Sequence, residues 1–105
     1  MSSQARLDLV RDALHQWMLA HLESRTPAKI DEIHQRTAES FFIVDDHFGG
    51  RRFRNEAIMA DWFIEADVIK IHETGGLLLE TISGQTIESY AKRATYHGEE
   101  TRRAA

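Results

Sequence analysis

Apolar residues recur at spacings of three and four in the first part of the chain, and this pattern predicts a long amphipathic helix over residues 4–24. The residues of its apolar stripe are Leu7, Val10, Leu14, Trp17, Met18 and Leu22. A second, shorter helix is predicted from Pro27 to Gln35. Thr26 is a favourable N-cap for it, and proline suits the first helical position.

The pattern changes after residue 40, where aromatic and β-branched residues replace the helical spacing. Residues 41–44, FFIV, form too short a run for an independent helix, so a strand is predicted there. The Gly49-Gly50 pair indicates a turn. Residues 51–54 are then expected to return as the second arm of a hairpin.

Asn55 predicts the cap of a third helix over residues 56–65. The rest of the chain is punctuated by glycine-containing turns, as in an antiparallel meander. Its predicted strands are Val68–Glu73, Leu77–Ile82, Thr86–Tyr96 and Glu99–Ala105. Helices followed by strands indicate an α+β fold, with N-terminal helices packed on a curved antiparallel sheet.

Composition narrows the class of protein. A length of 105 residues fits a single domain spanning 1–105. The formal net charge of −4 argues against a dedicated nucleic-acid binder, and the absence of cysteine excludes disulfides and thiolate chemistry. The chain has neither a signal-like apolar core nor an apolar run of membrane-spanning length, so we expect a cytoplasmic protein without a membrane partner.

Four segments after the long first helix carry a family resemblance: TPAKIDEI at 26–33, FFIVDDHFGGRRF at 41–53, NEAIMADWF at 55–63 and TYHGEET at 95–101. In this order they resemble the nuclear transport factor 2-like superfamily, which includes ketosteroid isomerases and SnoaL-like cyclases. The chain is most similar to the short bacterial members of unassigned function. The resemblance implies a cone, in which a curved antiparallel sheet wraps around helices and leaves an apolar pocket.

Two departures from the isomerase pattern change the functional expectation. The position of the isomerase tyrosine falls at about Met18, which cannot donate a hydrogen bond, and the late-strand acid would fall beyond Ala105. An isomerase of that type is therefore not expected. The last strand of the family pattern is also missing, and a strand left without its neighbour predicts a homodimer formed through the β-sheet.

The Asp45-Asp46 pair is the candidate for catalysis. The resemblance places the general base of the family at the end of this strand, at Asp46 when counted from the glycines and at Asp45 when counted back from the predicted helix. Adjacent strand residues face opposite sides, so only one of the two can enter a pocket. The alternative is an acid pair that caps a turn or pairs with Arg51 and Arg52.

Large apolar side chains are the candidates for lining a pocket around a small apolar ligand. These are Trp17, Met18, Phe42, Phe48, Trp62, Phe63 and Tyr90. An ordinary filled core explains them equally well. No cofactor is implied. The six histidines lack the spacing of metal ligands. His47 beside Asp45 and Asp46 is the one local group of possible ligands, and it does not suffice to predict a metal site.

Three functions are consistent with these features. The first is a small-molecule-binding domain with an apolar pocket and no assigned reaction. The second is a cofactor-independent enzyme of the SnoaL or dehydratase kind, which needs an aspartate as general acid/base inside a closed pocket. The third is a protein-interaction module, as in immunity-type members of the superfamily, with a filled interior and a sheet that pairs with itself or another protein.

Overall fold

The computed structural model describes residues 3–22 and 24–93, and its fold class is α+β, as predicted. Two helices, α1 (Ser3–His21) and α2 (Pro27–Gln35), precede a five-stranded antiparallel sheet. Its strands are β1 (Ala38–Val44), β2 (His47–Arg54), β3 (Ile58–Phe63), β4 (Val68–Glu73) and β5 (Leu78–Ser83). A further helix, α3, covers residues 84–93. Within the described residues, no helix is both long and apolar enough to cross a membrane.

The two N-terminal helices confirm their predictions, although α1 ends at His21 rather than at residue 24. The backbone N–H of Lys29 donates to Oγ1 of Thr26 at 3.2 Å, so Thr26 is the N-cap of α2. The predicted stripe of α1 is buried at five of its positions. These are Leu7, Val10, Leu14, Trp17 and Met18, each at most 5% exposed.

The predicted third helix over residues 56–65 is wrong, because this segment contains the strand β3. The side-chain Oδ1 of Asn55 accepts hydrogen bonds from the backbone N–H groups of Ala57 and Ile58, both at 2.9 Å. This is the interaction that a helix N-cap makes, but here it closes the turn between β2 and β3. Ile58, Ala60 and Trp62, at alternate positions of the strand, are buried on one side.

The predicted strand Thr86–Tyr96 is also wrong, since its described residues lie in α3. Ile87 and Ala91, four residues apart, are 0% and 2% exposed, which is the spacing of one helix face. Residues 94–96 and the predicted strand Glu99–Ala105 lie outside the described residues.

The turn of the first hairpin lies at Asp45-Asp46 rather than at Gly49-Gly50, where it was predicted. Both aspartates have positive φ angles, of 50° and 65°, as a two-residue type I′ turn requires. Aspartate tolerates this left-handed conformation better than most residues. The two glycines lie within β2 instead.

Strand order in the sheet follows the chain, β1-β2-β3-β4-β5, so β1 and β5 form its two edges. The pairing register places one set of buried side chains on a single side, which we call the core face; the opposite side is the outer face. The buried residues of the core face are Phe53, Ile58, Ala60, Trp62, Ile69, Ile71 and Ile82, each at most 3% exposed.

The described chain forms two compact units, one of residues 3–22, 24–30 and 85–93 and the other of residues 31–84. In the first unit, Arg6 forms an ion pair with Glu88 at 2.9 Å. The His21 ring stacks on Trp17, with ring centroids 4.6 Å apart. The second unit contains the sheet and the C-terminal half of α2.

Of the described glycines, Gly50 has the least space for a side chain. It pairs with Phe42 on β1 and with Phe63 on β3. A Cβ atom at this position would lie 1.8 Å from the carbonyl oxygen of Trp62 and 2.8 Å from Cζ of Phe42. Glycine is therefore required here by lack of space, not by a turn.

We predict that Gly50→Ala destabilises the protein by about 3 kcal/mol, because the added methyl group must displace the backbone of β3 or the ring of Phe42. Urea denaturation measures this change. Gly75→Ala is the matched control, since the nearest atom to its new Cβ is 3.5 Å away, in a flexible Glu73 side chain. Equal effects of the two substitutions would contradict the steric explanation.

Candidate functional site

Three large apolar side chains are exposed on one side of the hairpin formed by β1 and β2. Phe41, Ile43 and Phe48 are 65%, 70% and 55% exposed. We call these three residues the hairpin patch. Phe41 pairs with Arg51, which in turn pairs with Trp62, so the patch continues the core face of the sheet beyond its buried part. Contiguous exposed apolar side chains of this kind mark interaction sites.

A β-bulge at Gly49 gathers the patch. Phe42 pairs with Gly50 and Ile43 with Phe48, so Gly49 is the extra residue of β2. Phe48 and Arg51 are three residues apart and would face opposite sides of a regular strand. The bulge reverses this alternation and brings both to the side of Phe41.

Phe41 is held between two neighbours. Its ring lies edge to face with Phe48, at a centroid distance of 5.2 Å and an interplanar angle of 72°. The guanidinium carbon of Arg51 lies 4.6 Å from the centroid of the Phe41 ring, a cation–π distance. The most exposed phenylalanine of the chain is therefore fixed in position although solvent reaches it.

An ion pair borders the patch on the side of β1. Nη1 of Arg51 donates to Oε1 of Glu39 at 3.1 Å, and the two side chains are 23% and 22% exposed. Because each charge offsets the other, the border of the patch adds no net charge. A partner that covers the patch therefore meets a neutral and largely apolar surface.

The sequence pattern predicts a strand at Phe41 and Ile43 but no exposed patch. The signal from which the patch could be predicted is the unbroken FFIV run at 41–44. A strand buried on one side alternates apolar and polar residues, whereas this run is apolar on both sides. In β1 the run lies at a sheet edge, and six of the seven strand residues are exposed.

The candidate catalytic pair, Asp45 and Asp46, lies at the exposed tip of the hairpin. Neither residue lies in a pocket that excludes water. Arg51 pairs with Glu39, and Arg52 pairs with Asp61. What the structure gives the acid pair is a backbone role, because both residues supply the positive φ angles of the turn.

The residues predicted to line a pocket are not brought together within the sheet. Trp62 and Phe63 are neighbours on β3 and face opposite sides, with Trp62 buried on the core face. Phe63 contacts Phe42 on the outer face, at a centroid distance of 5.1 Å. Phe48 belongs to the hairpin patch.

The other predicted pocket residues belong to the first unit. Trp17 and Met18 are 2% and 1% exposed, as filled core residues are. Tyr90 lies 6.2 Å from the His21 ring and carries the guanidinium of Arg93 over its own ring at 4.6 Å. The first contact packs α1 against α3, and the second lies within α3.

A groove in the first unit has a volume of ≈ 360 Å³. Its lining residues are Gln16, Leu19, Ala20, Pro27 and Arg93. The volume suits a small ligand, but the groove is open to solvent and includes none of the predicted pocket residues. This open groove is therefore not the enclosed apolar pocket that the resemblance implied.

The outer face of the sheet carries a paired cation. Arg52 donates two hydrogen bonds to Asp61, at 2.7 and 3.2 Å, and Asp61 is 9% exposed. The hydrogen bond to Asp61, and then its charge, raise the pKa of Arg52. Arg52 lies 5.8 Å from the Phe42 ring, and Lys70 lies 5.3 Å from the Phe63 ring. These cations occupy the ring faces on which a nucleic-acid base would stack.

Among residues 3–22 and 24–93, no group of three or more histidine, cysteine, aspartate or glutamate side chains is placed to hold a metal ion. His47 begins β2 and is exposed beside the turn.

Comparison of the chain with protein-family models, with curated proteins and with solved structures finds no match in any of the three. The resemblance to the nuclear transport factor 2-like superfamily therefore stays a prediction. One of its anchors differs from the implied structure, because NEAIMADWF at 55–63 forms a turn and a strand instead of a helix.

We predict that replacing Asp45-Asp46 by Asn-Gly, the preferred type I′ dipeptide, stabilises the protein by roughly 0.5–1 kcal/mol. Glycine adopts the φ angle of 65° at position 46 without strain. Urea denaturation measures the gain. The control is Asp31→Asn in α2, which alters one acidic charge but leaves the turn unchanged. A loss of stability in the Asn-Gly variant would show that the carboxylates do more than form the turn.

We predict that Arg52→Ala costs roughly 1–2 kcal/mol, because it leaves the nearly buried carboxylate of Asp61 without its cation. Arg36→Ala serves as the control, since Arg36 and Glu32 form an exposed pair with side chains 74% and 44% exposed. Its expected cost is below about 0.5 kcal/mol. Thermal denaturation of both variants checks the difference, and similar losses would contradict the assigned role of Asp61 burial.

Proposed function

We propose that this chain is a protein-interaction module that binds an extended segment of a partner along β1 and buries the hairpin patch in the contact. The observation that carries the proposal is the ordered exposure of Phe41, Ile43 and Phe48, each more than half exposed, beside an edge of the sheet. Of the three hypotheses drawn from the sequence, this is the third.

The position of β1 supports binding by strand addition. In the described sheet β1 has a strand neighbour on one side, β2, and its other side is the edge. An extended peptide can add to such an edge through main-chain hydrogen bonds, while side chains on alternate positions supply specificity. Phe41 and Ile43 are two residues apart, so their side chains lie on the same face of β1 and can contact side chains of the added strand.

The apolar area sets the size of the contact that is needed. If an exposed phenylalanine offers about 200 Å², the three side chains together present roughly 350 Å². At about 25 cal/mol per Å², their burial contributes roughly 9 kcal/mol before the costs of association are subtracted. Those costs are about 4–15 kcal/mol, a range that includes this gain, so the patch alone leaves little net binding free energy. Backbone pairing along β1 supplies the remaining contacts.

Order within the patch lowers the cost of binding. Phe41 is already fixed between Phe48 and Arg51, so less side-chain freedom is lost when a partner covers it. An arginine beside aromatic rings is also typical of the residues that dominate interface energies. The arrangement therefore favours a binding surface over incidental exposure.

The other two hypotheses receive less support from the geometry. A small-molecule pocket requires space beside Trp17, Met18 or Trp62, but each of these is at most 2% exposed within well-filled surroundings. An acid/base enzyme requires an enclosed carboxylate, whereas Asp45 and Asp46 lie in an exposed turn.

Site-specific photo-crosslinking tests the proposed function. With the photoreactive amino acid p-benzoyl-phenylalanine in place of Ile43, we expect one discrete covalent adduct when the full chain is irradiated in its native host. The adduct should be abolished by Phe41→Lys in the same chain, because the added charge must be desolvated in the contact. Mass spectrometry identifies the crosslinked chain.

The matched control places the same probe at Leu77, which is 63% exposed but lies between β4 and β5. It should give no comparable adduct. Phe41→Lys should lower the free energy of unfolding by no more than about 2 kcal/mol, because it loses the ring contacts with Phe48 and Arg51 at a mostly exposed position, and the chain should stay folded. Absence of an adduct at position 43, or equal adducts at 43 and 77, would overturn the proposal.

A further inference from the structure

We infer that the partner of β1 is a second copy of the same chain. The two β1 strands pair antiparallel about a two-fold axis that passes between the two Phe41 residues. This inference rests on the proposed function, since it names the partner for the same surface. It joins two five-stranded sheets into one sheet of ten strands. The core face of one copy then continues into the core face of the other, and the two hairpin patches adjoin.

The sequence of β1 lacks the features that keep sheet edges apart. Edge strands are commonly protected by lysine, by proline or by an unpaired charge that points inward. The β1 sequence, AESFFIV, contains neither lysine nor proline. Its one charge, on Glu39, is offset by Arg51 of the same chain at 3.1 Å. Edge-to-edge pairing of β1 therefore meets no charge barrier.

The number of paired residues and the positions of the Glu39 charges both favour one register of the β1–β1 pairing. With Phe41 opposite Phe41 of the second copy, Ala38 lies opposite Val44 and Glu39 opposite Ile43, so all seven residues of each strand pair. The two Glu39 side chains are then separated by four residue spacings, about 13 Å along the strand.

Other arrangements are poorer. A shift of two residues in either direction pairs five strand residues instead of seven, and one of these shifts sets Glu39 against Asp45 of the second copy. Parallel pairing in register sets Glu39 against Glu39. Like charges directly opposite each other destabilise strand pairs, so self-pairing is most favourable in the two-fold arrangement.

The buried area agrees with a modest dimer. Two hairpin patches contain roughly 700 Å² of exposed apolar surface, of which strand pairing covers the parts of Phe41 and Ile43 that face the added strand. Stable specific interfaces begin near 1,200 Å² in total. Val44, which is 45% exposed, and the paired strand edges contribute the remainder. We therefore expect a dimer that dissociates in the micromolar range rather than an obligate one.

The other sheet edge is less suited to pairing. The pairing of β4 with β5 shifts register between Ile71 and His72, so β5 carries an irregularity within a six-residue strand. Pairing of β1 with β5 of another copy would also leave one edge open at each end and continue without limit. Pairing of β1 with β1 closes at two copies.

Light scattering coupled to size-exclusion chromatography tests the dimer. The mass of the full chain should rise with concentration from 12.1 kDa toward twice that value. The double variant Phe41→Lys, Ile43→Lys should remain at 12.1 kDa throughout and still unfold in a cooperative urea transition, since both side chains are mostly exposed. Leu77→Lys with Leu78→Lys, at positions 63% and 50% exposed, should dimerise as the original chain does.

Disulfide trapping tests the register, since the chain contains no cysteine. Residues directly opposite in an antiparallel pair have Cα atoms about 4.5–5.5 Å apart, within the range that a disulfide spans. Phe41→Cys should therefore form a crosslinked dimer rapidly under mild oxidation, and Leu78→Cys should not. Equal rates at the two positions would overturn the two-fold pairing.

The outcomes separate this inference from the proposed function. A chain that stays at 12.1 kDa up to submillimolar concentration, while the probe at position 43 crosslinks to a different protein, overturns the dimer and leaves the interaction module standing. A mass that increases beyond two copies also overturns the dimer. Loss of both the mass increase and every adduct at position 43 overturns both proposals.

Discussion

The pairing of Gly49 and Gly50 in β2 against Phe42 in β1 is the constraint on which the surface of this protein depends. Gly50 lets the backbone of β3 and the ring of Phe42 approach to distances that no Cβ permits. Gly49 adds the bulge that turns Phe48 and Arg51 toward Phe41. Without the bulge, Phe48 and Arg51 would lie on opposite sides of β2, and the patch would lose one of its two supports.

The same hairpin places an apolar surface where the sheet has no further strand. One row of paired residues crosses the core face through Arg51, Trp62, Ile69 and Ile82. Trp62, Ile69 and Ile82 are buried, whereas Phe41, at the hairpin end of the row, and Ile43 beside it are mostly exposed. An apolar face that continues past its buried part is incomplete in energetic terms, because water still contacts surface that the rest of the sheet has buried. β1 therefore combines a sheet edge, to which a strand can be added, with exposed apolar side chains that such a strand can contact.

The sequence predicted those elements whose signal has one interpretation, such as Thr26-Pro27 for the start of α2 and the alternation at Val68–Glu73 for β4. It failed where two structures share a signal. Asn55 accepts hydrogen bonds from the following N–H groups in a turn as it would at a helix start. Ile58, Met59, Trp62 and Phe63 have helical spacing, while Ile58, Ala60 and Trp62 have the alternation of a strand. Glycine likewise indicates a turn or a bulge. The candidate site was missed because exposure of the FFIV run depends on edge position, which long-range strand order decides.

Whether an exposed apolar edge is a hazard or a binding site depends on how association ends. An edge that pairs with a different edge leaves a new one exposed, so copies keep adding. An edge that pairs with itself is consumed in both copies, and further growth would have to proceed through β5, whose register is interrupted. In the proposed dimer, the absence of protective charges from β1 is compatible with a contact that ends at two copies. The linear strand order makes β1 and β5 the two edges, so the unprotected sequence of β1 and the irregular register of β5 together favour pairing through β1 in the proposed dimer.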